Sequence, residues 1–306
     1  MNPFHMGVGL VFLSAMGFGM IPIFALYAYQ GGATVATLLF LRFIIAALFF
    51  LTYTLIKYKN FEFKKINWGA LLLMGSVLYM LQSVCYFTAV KYIPASLAVL
   101  LFYTYPIFVA ILSVLIDKET LTRQVVFAIL VSSVGLALVL GTTFNKINIY
   151  GVLLAAAAGL VYSCYITMGN RVLKQLPVMV ASAFVTLFAS MSFLVIGLAT
   201  ASLTFQLPAQ AWLAVAGVAL FSTIIAIFTF FRGIELIGST RASILSTVEP
   251  LTTIGFSALL FSERLSWLQL LGGIAVLGGA VLVVTTEKQD KSKGPAVKPA
   301  ENSQHI

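Results

Sequence analysis

The stretch GSTRASILSTVEPLTTIGFSALLFSE, Gly238 to Glu263, is of membrane-crossing length and carries a carboxylate and a proline, Glu249-Pro250, near its middle. A hydrocarbon layer about 30 Å thick takes roughly 20 apolar residues to cross as a helix, which puts Glu249 near the midplane. An acid at that depth is costly and points to a function. Ser239, Ser243, Ser246, Thr253 and Ser257 recur at helical spacings, so they form one polar stripe with Glu249 at its edge, and the stripe predicts a segment that borders water.

The same stretch occurs earlier at a constant offset of 144, the distance from Pro106 to Pro250. YIPASLAVLLFYTYPIFVAILSVLIDKE, Tyr92 to Glu119, lies over Leu236 to Glu263 without a gap, matching Ile93 with Ile237, Ala98 with Ala242, Ser113 with Ser257 and Glu119 with Glu263. Gly7/Gly151 and Gly135/Gly279 share the offset, so the repeat covers nearly the whole chain. Tyr105 stands where the second copy has Glu249, so the midplane acid belongs to one half.

With 306 residues, 61% of them hydrophobic and 9% charged, and a mean hydropathy of +1.05, the chain lacks the polar surface of a soluble protein. Apolar segments at roughly 6–28, 34–56, 68–90, 94–116, 123–141, 150–170, 179–201, 210–231, 239–261 and 266–285 predict an all-α polytopic membrane protein of ten transmembrane helices. They fall into two five-helix repeats, residues 1–145 and 146–286. The charged, Pro-bearing stretch 287–306 is expected to be a disordered cytosolic tail.

The net charge of +9 follows topology. With the N-terminus in the cytosol, the basic residues gather on cytosolic segments, among them Lys57, Lys59, Lys64, Lys65, Lys118, Arg123, Arg171, Lys174, Arg232 and Arg241. The opposite face has Lys91, Lys146 and Arg264. That bias places both termini inside the cell. No basic domain lies outside the membrane segments, so nucleic acid is not an expected partner. Met1–His5 is too short and uncharged for a signal-peptide n-region, so the first apolar segment is expected to stay as a span.

Along the chain, Gly17-Phe18-Gly19 and Pro22 weaken the first helix, which fits either a cavity wall or a packing kink. Arg42 sits about 12 Å along the second helix, where it either snorkels outward or turns inward to meet an acid or a substrate carboxylate. Tyr79, Gln82 and Tyr86 share a face of the third helix, and the fourth carries Tyr103, Tyr105 and Pro106. Tyr162 and Tyr165 lie three apart on the sixth, and Phe230 on the eighth matches Tyr86 under the offset. Together with Glu249 these aromatic and polar faces predict a central substrate cavity. Glu249 and Arg42 are the candidates for coupling or charge pairing, with protons as the candidate coupling ion. Pro22, Pro106 and Pro250 are the predicted helix breaks.

Cys85 and Cys164 lie inside apolar segments and do not match under the repeat, and His5 and His305 lie near the chain ends. Membrane-embedded catalysis needs a nucleophile with a base, paired acids or a metal cluster, and none of these sets falls inside the apolar segments, so no cofactor or metal is expected. An odd number of spans per repeat inverts the second half relative to the first, the arrangement secondary transporters use for alternating access. A passive channel-like facilitator is the nearest alternative, since a polar-aromatic lining also suits a pore. A structural or receptor protein is a more distant one.

The ten spans, the duplicated unit, Arg42 in Leu41-Arg42-Phe43, the prolines Pro106 and Pro250, and the closing Glu119-Thr120-Leu121 and Glu263-Arg264-Leu265 resemble the drug/metabolite transporter superfamily, EamA type, over about residues 6–285. That resemblance implies an inner-membrane carrier that exports amino acids or other small metabolites. Phe18 stands where the family often has tryptophan, and Tyr162 also departs from the usual pattern.

Overall fold

A computed structural model of the chain describes residues 2–58, 67–89, 92–93, 98, 101–118, 120–140, 148–261 and 266–292. Among them there are helices and no strand. The first half holds α1 (Pro3–Gly19), α2 (Ile21–Gln30), α3 (Val35–Lys57), α4 (Trp68–Leu72), α5 (Tyr79–Ala89), α6 (Tyr105–Asp117) and α7 (Arg123–Leu140). The second holds α8 (Ile149–Leu173), α9 (Val178–Ala199), α10 (Ala209–Ala219), α11 (Ala226–Ile237), α12 (Ser239–Leu245), α13 (Glu249–Phe261) and α14 (Trp267–Ser292). Wide π-helical turns, Leu73–Leu78 and Leu220–Ile225, join α4 to α5 and α10 to α11.

Helix starts carry local caps. The Asn2, Thr34, Asn67 and Asn148 side chains each accept from a backbone N–H in the first turn of α1, α3, α4 and α8. Gly238 alone connects α11 to α12, at φ 81° and ψ 164°, a backbone open to glycine and strained for any residue with a Cβ.

Among the described residues six helical stretches, the first interrupted at Met20, are long and apolar enough to cross a membrane: Pro3–Gln30, Val35–Lys57, Trp68–Tyr86, Ile149–Leu173, Val178–Ala199 and Ala209–Ile237. Tyr105–Asp117, Arg123–Leu138 and Leu270–Val283 are apolar but shorter. The remaining expected span, 239–261, is split by a single 3₁₀ turn at Ser246–Val248. Large apolar side chains such as Leu55, Leu115, Leu213, Leu259 and Ile274 point outward, a surface suited to lipid. The chain is a multi-pass membrane protein. α14 takes in residues 287–292 of the stretch expected as a tail, and 293–306 lie outside the described residues.

The repeat reappears in three dimensions. α1 packs along α11, and its counterpart contact, α5 along α8, appears when the halves are exchanged. So does the pair α6 on α8 and α13 on α1. α3 packs on α9, and α7 on α14, each on its own mate. Close approach at the first of these contacts depends on two offset glycines. A Cβ on Gly7 would lie 2.6 Å from Ile237 Cγ2 and 2.9 Å from Leu236 Cβ, and one on Gly151 would lie 2.7 Å from Ile93 Cγ2 and 2.9 Å from Tyr92 Cβ. The first helix of each half therefore rests on the third-to-fourth junction of the other.

Overpacking such a contact costs about 1–3 kcal/mol. Gly7→Val and Gly151→Val are each expected to lower the thermal unfolding midpoint in detergent. Gly9→Val, where a Cβ meets nothing within 4 Å, is expected to leave it in place.

Candidate functional site

The site is built on interrupted helices. Pro22 has no N–H and its ring crowds the carbonyl four residues back, so α1 stops at Gly19 and α2 restarts with Pro22 in its first turn. The carbonyl of Gly19 accepts from Thr253 Oγ1 at 3.0 Å, on α13 in the other half. A Cβ on Gly19 would sit 3.0 Å from the Glu249 carbonyl oxygen, so the two breaks touch. α13 opens with Glu249-Pro250 directly after the 3₁₀ turn, and α6 opens with Tyr105-Pro106 after a turn at Tyr103–Thr104. In low-dielectric surroundings each freed backbone group needs a partner, and Thr253 on Gly19 is one such repair. The π-helical turns add a residue just before Tyr79 and just before α11. Thr223 Oγ1 donates to the Val218 carbonyl there at 2.9 Å.

Two adjoining cavities lie at these breaks. The larger, about 630 Å³, is lined by Pro22 and Tyr29 of α2, Arg42 of α3, Tyr79, Gln82 and Tyr86 of α5, Phe102 and Tyr103, and Glu249, Pro250 and Thr253 of α13. The smaller, about 120 Å³, is lined by Phe18, Phe102, Tyr105, Tyr162, Tyr165, Phe230 and Phe231 among others. Ile21, Tyr79, Gln82, Phe102 and Glu249 border both. Tyr79, Gln82, Tyr86, Tyr103, Tyr162, Tyr165, Phe230, Glu249 and Arg42 thus all reach one cavity or the other. Pro106 is buried and borders neither.

The walls form one aromatic framework. Tyr105 and Tyr162 meet edge to face at 4.9 Å, Tyr162 stacks on Tyr165 at 5.8 Å, and Tyr165 meets Tyr79 at 5.8 Å. Phe102 contacts both Tyr162, at 5.2 Å, and Tyr86, at 5.4 Å, so it joins the two cavities. Phe102, Phe231, Ile21 and Tyr29 were not predicted from sequence. The aromatic run Phe102-Tyr103-Thr104-Tyr105 was the signal for Phe102, but the turn at Tyr103–Thr104 breaks the helical period and brings 102, 103 and 105 inward together.

Arg42 faces inward, 3% exposed. Its Nη2 donates to the Tyr79 hydroxyl at 3.3 Å, and the guanidinium lies 4.6 Å from the centre of the Phe43 ring. Its Nε is buried without an acceptor. Glu249 and Tyr103 line the same cavity. Arg42 and Glu249 border the same cavity, yet the pair is not within ion-pair distance. Tyr105, the mate of Glu249 under the repeat, donates its hydroxyl to the Ser243 carbonyl at 3.4 Å.

The polar stripe behaves differently from its reading as a water-facing edge. Ser243 and Ser246 donate back to the Thr240 and Ala242 carbonyls, and Ser239 pairs with Ser113 across to α6 at 3.1 Å. A hydroxyl can meet its needs from its own helix or a neighbour, so periodic serines need no water. Of the stripe, Thr253 borders the cavity, and the Ser257 side chain lies outside the described residues.

Beyond Ser113–Ser239 a second polar cluster ties the two halves together. Asp117, at the end of α6, accepts from Arg171 Nε at 2.8 Å and Asn170 Nδ2 at 3.2 Å, while Arg171 Nη2 also donates to the Ile116 carbonyl at 2.8 Å. The larger cavity reaches the other end, toward Tyr29 at the end of α2 and Leu38 at the start of α3.

A two-repeat helical bundle with a central, partly charged cavity between the halves defines a membrane transporter. The chain belongs to the EamA-like transporter family, which it matches twice, at residues 5–141 and 149–285. The two matches are themselves offset by 144. The chain is similar to the uncharacterized transporter YcbK of Bacillus subtilis (strain 168), 26% identical over 93% of this chain and 94% of that protein. It is also similar to the uncharacterized transporter sll1319 of Synechocystis sp., 29% identical over 71% of this chain and 67% of that one. A solved crystal structure superposes with a TM-score of 0.80 over 93% of this chain and 98% of the other, at 19% identity, a likeness of fold.

If the Gly19–Thr253 bond holds the two breaks together, Thr253→Val should destabilise the protein by about 1–3 kcal/mol, the cost of a buried carbonyl left unpaired. Thermal unfolding in detergent reads this, and Thr253→Ser should restore most of the loss.

Proposed function

We propose that this transporter is a secondary carrier that moves a small amphipathic metabolite, an amino acid or a similar compound, out of the cell across the cytoplasmic membrane by alternating access. In this reading ten spans form two inverted repeats, 1–145 and 146–286, and both termini are cytosolic, consistent with the basic residues on the cytosolic loops. The observation that carries the proposal is the cavity at the interface of the halves, which extends toward the Tyr29 end, while Ser113–Ser239 and Asp117–Arg171 tie the halves together toward the other. On the proposed topology the Tyr29 end faces outward and the tied end is cytosolic. Exchange of conformations between the repeats would open the other end. Contacts that tie the halves together at one end favour a carrier over a passive facilitator, which needs one continuous path. Acceleration of efflux by substrate on the far side separates the two.

Aromatic rings contribute about 0.5–2 kcal/mol per good contact with a ring or an organic cation. Tyr79→Ala and Tyr162→Ala are therefore expected to raise the half-saturating concentration several-fold in proteoliposomes. Unchanged kinetics in both folded variants would reject this lining.

Glu249 is the proposed coupling group, since it borders both cavities and is the acid they share. Glu249→Gln keeps shape and hydrogen bonding but cannot exchange a proton. Transport that no longer responds to an imposed pH gradient is the expected outcome. Weakened binding at every pH would instead assign Glu249 to a substrate amine, and intact gradient dependence with normal affinity would reject both roles.

Topology is tested by cysteines introduced at Lys59 and Lys298. Reaction with an impermeant thiol reagent on intact cells at either position would contradict cytosolic termini and the span count.

A further inference from the structure

We propose that Arg42 is the specificity-determining residue of the cavity and that it selects substrates bearing a carboxylate-type anionic group on an apolar or aromatic body. This rests on the reading of the cavity as the substrate site.

A guanidinium removed from water is costly unless hydrogen-bonded acceptors or an anion meet it. Arg42 is 3% exposed, yet its recorded hydrogen bond is one neutral contact, to the Tyr79 hydroxyl, and its Nε has no acceptor. The acid sharing the cavity, Glu249, forms no ion pair with it among the described residues. The repeat provides no second cation to share the load, because the mate of Arg42 is Thr186, which is buried and bonded to the Ser182 carbonyl at 2.6 Å. The larger cavity thus carries one guanidinium whose donor capacity is mostly unused.

The guanidinium is also held in orientation. Phe43 lies against it and Tyr79 fixes Nη2, while Tyr79 itself packs edge to face on Phe43 at 5.0 Å. A planar fork presented in this way matches the two oxygens of a carboxylate, which lysine's point charge does not. Tyr79, Tyr86 and Phe102 stand beside it in the same cavity to receive the apolar body. A carboxylate entering there would provide the acceptor that the protein withholds, whereas a cation would meet like charge.

The test uses purified full-length protein in detergent at pH 8 and three probes of one shape, benzoate, benzamide and benzylamine, with affinity read from ligand-dependent thermal stabilisation. Benzoate is expected to bind at least about tenfold more tightly than benzamide, the low end for a hydrogen bond to a charged group, and benzylamine most weakly. Arg42→Gln should erase the preference, and Arg42→Lys should restore it only in part. Equal binding of benzoate and benzamide by the unmodified protein would overturn the role of Arg42 and leave the cavity reading standing. A benzoate preference that survives in Arg42→Gln would do the same. Absence of binding by all three probes would overturn the cavity reading and this inference with it. Because the probe comparison is made on the unmodified chain, it decides the matter even if Arg42→Gln fails to fold.

Discussion

A guanidinium and a carboxylate that border one cavity without forming a direct ion pair are the constraint around which this bundle is arranged. Neither group tolerates hydrocarbon, so both must be kept within reach of water or of hydroxyl groups. The ring of tyrosines does this at modest cost. Tyr79 offers a hydroxyl to Arg42 and Tyr103 lines the cavity beside Glu249, while their rings pack against other rings. The amphipathic character of tyrosine explains why it, more than serine or asparagine, makes up the wall.

The cavity exists because helices stop where they meet it. An unbroken helix satisfies its own backbone and presents side chains alone. The interruptions at Met20, Tyr103–Thr104 and Ser246–Val248 bring backbone carbonyls and clustered side chains to the centre. Thr253 bridges two of these breaks across the halves. A bond between interrupted helices at the repeat interface is also the kind of contact that must re-form if the repeats exchange conformations.

Pseudo-symmetry organises the frame but not the chemistry. Gly7 and Gly151 make the same close contact in both halves, and the helix pairs repeat on exchange. The charged groups do not repeat: Glu249 lines a cavity with Tyr105, its repeat mate, Arg42 has Thr186 as its mate, and the Asp117–Arg171 pair ties the halves at one end. A symmetric scaffold with asymmetric charges allows similar conformations while giving the two ends different contacts.

Hydropathy and the offset of 144 carried the membrane class and the duplication, because average apolarity and a repeated pattern belong to the chain whatever its packing, while helical spacing pointed to nine residues that border one cavity or the other. The inward turn of Arg42 was not legible, since snorkelling and burial leave the same residue at the same depth. Phe102 and Phe231 were missed because turns and π-helical stretches shift the register on which face assignments depend. The serine stripe misled, since hydroxyls bonded to their own helix look, in sequence, like hydroxyls facing water. Which of several polar groups meets a partner, and which is left unpaired, is decided by contacts between segments far apart in the chain, and those come into being only when the helices pack.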